Sequence, residues 1–174
     1  MTTGQENTLI GQSAGASYSA RLISGSYNVC LGNGAFTSST TVNNEITLGR
    51  STTTSIRCNV QTISSLSDER DKTAIEDLSY GLDFINDMRP VQFTWNRRDG
   101  SLGTKTDMGF IAQELHEVEL NHSSPKRTRL VNFSNIDRLE ADPMRTFPIL
   151  VKAVQQLSAK VDELETRIAT LEGN

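Results

Sequence analysis

Apolar residues recur with a strict period of seven in the last part of the chain. From Phe147 to Leu171, an apolar residue begins each heptad and a leucine follows it three positions later. The two sets are Phe147, Val154, Val161 and Ile168, and Leu150, Leu157, Leu164 and Leu171. This is the a/d pattern of a coiled coil, in which both sets pack against a partner helix. It predicts a coiled-coil helix over residues 143–172, with these eight side chains at the interface between copies.

Charged residues beside this apolar stripe support the same interpretation. Lys160 and Arg167 occupy g positions. Five residues after each lies an acidic e residue, Glu165 or Glu172, so each g–e′ pair of a parallel coil has opposite signs. An amphipathic helix packed on its own globule would not need so strict a period. These a and d residues are common in two-stranded coils, so the heptads alone do not fix three copies.

A second apolar pattern recurs in residues 1–66. Three short runs, NTLIG (7–11), NVCLG (28–32) and EITLG (45–49), each begin with a polar residue and close with a glycine. Short β-prone runs separated by glycine turns are typical of β-solenoids and fibres. Low-complexity disorder is the alternative, favoured by the many small residues. Because one copy has little to bury, we expect a β-rich fibre segment with three copies around a common axis, as in a trimeric β-helix or β-prism.

The middle segment, residues 67–138, begins with a helical pattern. Apolar residues from Ile75 to Ile85 share one face of a helix. This helix should end before Arg89, because a residue that precedes a proline, here Pro90, is disfavoured in the α conformation.

A strand pattern follows the predicted helix. The run VQFTW (91–95) alternates between apolar and polar residues, and a second apolar run follows a polar loop at 108–113. Together they predict a hairpin that leads into a helix at about 112–119. The fold class is therefore α+β, with a small α+β domain between the β-rich segment and the C-terminal helix.

Composition changes abruptly at residue 67. Residues 1–66 contain no lysine, no proline and only five charged residues, three arginines and two glutamates, and the other 33 charged residues follow. The net charge of −4 divides into +1 before this point and −5 after it. Neither part is basic enough for a nucleic-acid-binding protein. No apolar run approaches the roughly 20 residues of a membrane helix, so we expect no membrane insertion.

The chain offers few ligands for a metal. Its two cysteines, Cys30 and Cys58, and its two histidines, His116 and His122, lack the spacing of a metal site. Both cysteines lie in apolar, strand-like runs, which predicts buried thiols that act as small hydrophobic side chains. The histidines flank a polar segment and should be solvated. We expect neither a metal nor another cofactor.

The junction carries the candidate chemistry, in the six residues SDERDK (67–72). A serine becomes a nucleophile when a base removes its proton, and a neutral lysine can be that base. At pH 7 only about one lysine in a few thousand is neutral at the ordinary pKa of about 10.4. A positive neighbour such as Arg70 would favour the neutral form, whereas Asp71 would oppose it. The structural alternative is that Ser67 or Asp68 simply caps a following helix.

Four motifs occur in the order SDERDKTAI, MRPVQFTW, MGFIAQEL and FPILVKAVQQL. Together they resemble the C-terminal intramolecular chaperone and auto-processing domain of phage tail spikes, tail fibres and neck appendages, including the endosialidase tail spikes. The resemblance covers about residues 64–172. The matching positions after the junction are Pro90, Phe93, Trp95 and the run from Gly109 to Glu114.

This resemblance implies a chain that cuts itself. In that family a serine–lysine dyad cleaves a Ser-Asp bond at the start of the domain. The matching residues are Ser67 and Lys72, with the cut between Ser67 and Asp68. The resemblance also implies a homotrimer, in which residues 67–174 act as the chaperone of an upstream fibre segment that ends with residues 1–66. The implied location is the virion tail, with assembly in the bacterial cytoplasm and release of the chaperone part after cleavage.

Two other functions stay open at this point. A structural trimerisation cap would carry the same heptads with an inert serine and lysine. A receptor-binding tip would use residues 1–66 to bind a host surface receptor, which is a further partner expected for the mature fibre.

Overall fold

A computed structural model of the chain describes residues 3–16, 22–60, 62–98, 100, 103–122 and 128–173. Its contacts divide the chain into two compact units. Unit 1 comprises Met1–Ile63, Phe93–Asp107 and Phe133–Leu139, and unit 2 comprises Ser64–Gln92, Met108–Asn132 and Glu140–Asn174. The chain thus passes from unit 1 into unit 2 just before Ser67. Two segments beyond Ser67, Phe93–Asp107 and Phe133–Leu139, group with unit 1.

Three short parallel strands form the sheet of unit 1. They are β1 (Thr8–Ile10), β2 (Val29–Leu31) and β3 (Ile46–Leu48), in that order. All three coincide with the apolar runs of the sequence, which confirms the predicted strands. Their central residues Leu9, Cys30 and Thr47 lie in register. One chain therefore builds three successive rungs of a parallel β-structure by itself.

A glycine closes each rung for a structural reason. Gly11, Gly32 and Gly49 all have a positive φ, between +80° and +121°, which residues with a side chain rarely adopt. A Cβ on Gly11 would also lie 2.6 Å from the backbone carbonyl carbon of Gly32 in the next rung. The turn therefore favours glycine at all three positions, and the stacking of rungs also requires it at Gly11.

The rungs enclose a small core within a single chain. Its fully buried side chains include Leu22, Cys30, Ala35 and Thr37. Asn28, which is also buried, donates from Nδ2 to Asn7 Oδ1 (3.0 Å) and to the Val42 carbonyl oxygen (2.8 Å). Its Oδ1 accepts the backbone N–H of Glu45 at 2.9 Å. Successive rungs thus satisfy each other's polar groups within one chain, while the apolar residues Ile10, Ile46 and Leu48 stay exposed.

The two cysteines differ, contrary to the prediction that both are buried. Burial raises the pKa of the Cys30 thiol, and the charge of Glu45 acts in the same direction, so this thiol is a neutral part of the core. Cys58 is exposed. It lies beyond β3 in residues without helix or strand, where no neighbouring rung covers it.

Unit 2 is mainly helical. Its helices are α1 (Leu82–Asp87), α2 (Ala112–Asn121) and α3 (Thr146–Glu172), with 3₁₀ turns at Glu69–Asp71 and Pro143–Arg145. Two strand pairs complete the chain: β4 (Val91–Thr94) with β5 (Thr106–Gly109), and β6 (Val131–Asn132) antiparallel to β7 (Glu140–Ala141). The predicted hairpin, the helix after it and the long C-terminal helix are confirmed. Pro148 lies in the first turn of α3, where a missing N–H costs no intrahelical bond.

The first predicted helix is much shorter than the sequence suggested. The apolar pattern predicted a helical face from Ile75 to Ile85, but α1 begins only at Leu82. Ala74 adopts a positive φ of 52°, and the residues between it and Gly81 form no helix. Ile75 is exposed and has no helical neighbours to pack with. Periodicity alone does not reveal such a break in the backbone.

Phe84 is the centre of the unit 2 core. Its side chain is 1% exposed, and the rings of Tyr80 and His122 both lie with their centroids 5.1 Å away. His122 Nε2 lies 2.6 Å from Asp87 Oδ2, which holds the imidazole over Phe84. The expectation of a solvated His122 is therefore wrong, since its side chain is only 23% exposed.

Helix α3 is attached to α1 through one face. Ile149 and Ala153 are buried on that face, and Gln156 continues it one turn later. Gln156 Oε1 accepts the backbone N–H of Leu82 at 2.6 Å and so caps the start of α1. A Cβ at Gly81 would lie 2.2 Å from this oxygen, so a side chain there would displace the Gln156 cap.

Among the described residues, no helix is both long and apolar enough to cross a membrane. No group of three or more His, Cys, Asp or Glu side chains there could hold a metal ion.

Candidate active site

The 3₁₀ turn at Glu69–Asp71 determines the geometry of the junction. Asp68 precedes the turn in an extended conformation, and its Oδ1 accepts the backbone N–H of Arg70 at 2.9 Å. Lys72 follows the turn and is again extended. The chain therefore reverses over three residues, and the side chain of Lys72 returns toward Ser67. The predicted cap at this point is confirmed, with Asp68 as the capping residue.

The Lys72 amine contacts both polar groups of Ser67. Its Nζ donates to Ser67 Oγ at 2.7 Å and to the Ser67 carbonyl oxygen at 3.1 Å. That carbonyl belongs to the peptide bond between Ser67 and Asp68. The amine thus touches both the hydroxyl of a potential nucleophile and the carbonyl of the bond expected to be cut.

Arg70 is paired with Asp68 and does not face the lysine. Its Nε and Nη2 donate to the two carboxylate oxygens of Asp68, at 3.0 and 2.6 Å. This charged hydrogen bond lowers the pKa of Asp68 below its ordinary value of 3.8, and the backbone N–H of Arg70 acts in the same direction. Asp68 is therefore ionised at neutral pH, and the residue after the expected cut is held in place.

Asp71 does not oppose the lysine by direct contact. Among the described residues, the structure gives no ion pair between Asp71 and Lys72. Arg70 cannot supply the unbalanced positive charge that the sequence suggested, because Asp68 already balances it. The whole junction is exposed, so in a single copy neither the hydroxyl nor the amine is shielded from water. The arrangement brings a serine hydroxyl and a lysine amine into contact, but without the dry surroundings that strengthen nucleophilic chemistry.

A second candidate site is the apolar stripe of α3. Its eight predicted interface side chains remain between 42% and 69% exposed. They lie on a different face from Ile149 and Ala153, which are buried against the rest of unit 2. From Leu157 onward every residue of the helix is exposed. The stripe is therefore free for a partner while α3 stays attached through its other face.

Three side-chain contacts within unit 2 were not predicted from the sequence. They are the cap from Gln156 on α1, the pair of Asp87 with His122, and a double contact between Arg89 and Glu114. In the last of these, Arg89 Nε donates to Glu114 Oε2 at 3.0 Å, which joins the end of α1 to the start of α2. Arg89, Glu114 and Gln156 lie in the motifs MRPVQFTW, MGFIAQEL and FPILVKAVQQL, but no local pattern links any of these residues to its partner across the chain.

The comparison with family models gives a match at the junction. The model described as the chaperone of endosialidase, a family named as a peptidase, matches residues 67–124. The match begins at Ser67 and ends just after α2. It supports the endosialidase-type chaperone domain that the motifs indicated. It also supports a chaperone role, a self-cleaving kind of peptidase and an association with phage tails. A search of curated proteins gives no match.

The ion pair of Asp68 predicts an acid-sensitive turn. Because Arg70 lowers the pKa of Asp68 in the folded chain, the carboxylate contributes stability above the unfolded pKa. This contribution is lost as the pH falls through the lowered pKa of Asp68 in the folded chain. The carboxyl carbon shift of Asp68, followed by NMR against pH, should have its midpoint below 3.8. Arg70→Gln should move the midpoint upward, and an unchanged midpoint in that variant would contradict the assigned pair.

Proposed function

We propose that residues 67–174 are an intramolecular chaperone of a trimeric phage tail fibre or tail spike, and that the chain releases this part by cutting itself between Ser67 and Asp68. The observation that carries the proposal is the contact of Lys72 Nζ with both Ser67 Oγ and the Ser67 carbonyl oxygen. It occurs at the first residue of the segment that matches the family of endosialidase chaperones.

Lys72 acts as the base in this proposal. A neutral amine accepts the proton of a nucleophile and donates one of its own N–H groups to the carbonyl oxygen. The nucleophile adds to the Ser67 carbonyl carbon, and the bond from this carbon to the Asp68 nitrogen then breaks. The nitrogen takes the proton from Lys72. Overall, one water is consumed, leaving a carboxylate on Ser67 and a free amine on Asp68.

The identity of the nucleophile depends on ring strain. Attack by Ser67 Oγ on its own carbonyl carbon would close a strained β-lactone ring. A water held beside the hydroxyl, or Ser67 Oγ from a neighbouring copy, would avoid this strain. Attack on the preceding carbonyl, that of Leu66, would close a less strained ring and cut the chain one residue earlier. The masses of the fragments distinguish these sites of attack.

Trimerisation through α3 is the second part of the proposal. The eight exposed side chains of its stripe leave a face that a single copy cannot cover. Isolated helices in water are marginally stable, and most helical stability in proteins comes from packing an apolar face. Three parallel copies would bury the stripe and bring their β-rich segments together at high local concentration. The number three comes from the family resemblance, since the heptads alone allow two strands.

A chaperone of this kind would solve a problem of timing. Parallel rungs pair residues that are distant in the chain, so they form slowly and leave open edges that can aggregate. A coiled coil that forms early would hold three such segments in register. Removing the coiled coil after assembly would also remove the easy route to disassembly. The lifetime of the fibre would then depend on its rate of unfolding.

Self-cleavage should give fragments 1–67 and 68–174. Ser67→Ala should leave one full-length chain, because the hydroxyl is lost. Lys72→Arg should do the same, because an arginine keeps the positive charge but cannot act as a base at neutral pH. Intact mass of the denatured protein is the measurement.

Ser65→Ala is the matched control for this experiment, since Ser65 is an exposed serine near the junction that does not contact Lys72. It should cleave like the original chain. If the folded original chain stays whole on long incubation, the self-cleavage part of the proposal is wrong. A fragment of 1–66 would move the cut to the bond before Ser67.

Charges placed in the α3 stripe should abolish assembly. Leu157→Asp together with Leu164→Asp would bury unpaired carboxylates at d positions, at a cost of roughly several kcal/mol per site. Light scattering should then give the mass of a monomer, against three copies for the original chain. Ala159→Asp with Thr166→Asp adds the same charge on the outer face of the helix and should remain trimeric. A dimeric original chain would contradict the threefold fibre.

The chaperone should be needed to form the fibre segment and not to maintain it. Residues 1–66 expressed alone should aggregate or stay unassembled, as judged by circular dichroism and light scattering. Fragment 1–67, taken from the cleaved, assembled protein, should remain trimeric after residues 68–174 are removed. If residues 1–66 alone assemble readily, residues 67–174 are a cap and not a chaperone.

A further inference from the structure

The backbone around Ser67 is held from one side only. Among the described residues between Thr53 and Asp68, no backbone group is hydrogen-bonded to another backbone group. Ser67 is exposed, and so are the described residues on both sides of it. Its position beside the Lys72 amine therefore depends on the turn that follows it.

That turn is too short to be stable through its backbone alone. The Asp71 N–H donates to the Asp68 carbonyl oxygen at 3.2 Å. The Lys72 N–H donates to the Glu69 carbonyl oxygen at 3.0 Å. Short 3₁₀ helices have poor hydrogen-bond geometry, and a first helical turn fixes several dihedral angles for few bonds. Side chains must supply further restraint.

Arg70 supplies such a restraint through Asp68. The two carboxylate oxygens of Asp68 accept three N–H groups of this one residue: its backbone N–H at 2.9 Å, Nε at 3.0 Å and Nη2 at 2.6 Å. An exposed ion pair usually contributes little to stability, but a guanidinium that binds both carboxylate oxygens fixes their geometry. Because Asp68 follows Ser67 directly, holding its side chain also restrains the peptide bond between them.

We propose that Arg70 is a positioning residue of the self-cleavage: its guanidinium holds Asp68, and Asp68 holds Ser67 against the Lys72 amine. This inference rests on the proposed function, because it concerns the rate of the same cut. It also makes the cut depend on an acidic side chain at position 68, since only a carboxylate offers two oxygens to the guanidinium.

Two simpler roles for Arg70 lead to different expectations. If only the cap of the turn matters, the backbone N–H of Arg70 is sufficient, and Asp68→Asn would be harmless because asparagine caps a helix as well as aspartate does. If only a positive charge near Lys72 matters, Arg70→Lys would be harmless. The positioning role needs the planar guanidinium, which a lysine ammonium cannot replace.

The rate of cutting in the full chain distinguishes these roles. Each variant is made by cell-free synthesis, and its conversion into fragments is followed over time on a denaturing gel. Arg70→Gln, Arg70→Lys and Asp68→Asn should each cut at least about tenfold more slowly, because a small misplacement of reacting groups can cost up to about a hundredfold in rate. Arg57→Gln removes the same charge from an exposed arginine outside the turn and should cut at the original rate.

A double variant tests whether Arg70 acts through Asp68. Arg70→Gln combined with Asp68→Asn should cut no more slowly than the slower single variant, because both changes break the same contact. Additive losses would overturn the inference.

The pH profile and the assembled mass separate positioning from the other roles. The midpoint of the rate profile against pH should be the same in Arg70→Gln as in the original chain, and light scattering should give the same mass. A shifted midpoint would overturn the inference, because Arg70 would then act on the Lys72 base through its charge. A changed mass would also overturn it, because Arg70 would then act in assembly.

The outcomes also distinguish this inference from the proposed function. If the original chain cuts and Arg70→Gln cuts equally fast, the positioning role is wrong and self-cleavage is unaffected. An original rate in Arg70→Lys or in Asp68→Asn would likewise overturn the positioning role alone. An original chain that stays whole would overturn both.

Discussion

Helix α3 carries two apolar faces, and a single copy can cover only one of them. Ile149 and Ala153 are buried against unit 2, and Gln156 adds the cap that fixes α1 to the same face. The a/d stripe is turned away and stays exposed along the whole helix. Because the two faces do not compete, a chain can fold unit 2 first and still offer a complete surface for assembly. This separation is what the proposed order of folding and association requires.

Much of the fold could be predicted because its strongest signals are local. Each rung has its own apolar run and its own closing glycine, so the three strands were found at their observed positions. The heptads likewise located α3. The failures arose where a residue's neighbours come from elsewhere in the chain. Ile75 matched a helical period but has no surface to pack on, and α1 begins where Gln156, distant in sequence, supplies a cap.

The residues of the candidate site could be predicted from the sequence, but the contacts around them could not. Ser67 and Lys72 stand close in the sequence and a helix cap was expected at Ser67 or Asp68, and the short 3₁₀ turn found there brings the two side chains into contact. Arg70 was expected to act on the lysine, yet it binds Asp68, because a carboxylate two residues away offers two hydrogen bonds in one plane. Cys58 was expected in a core, but the rungs end at β3 and leave it in water.

In the proposed function, exposure of the junction in one copy would keep the chain from cutting itself too early. A carbonyl surrounded by water gains little from one N–H donor. Burial by neighbouring copies would strengthen the hydrogen bond from the Lys72 amine to the Ser67 carbonyl. The chemistry would then begin only when assembly has covered the site. A chaperone that depends on this order would not release itself from a fibre that has not yet formed.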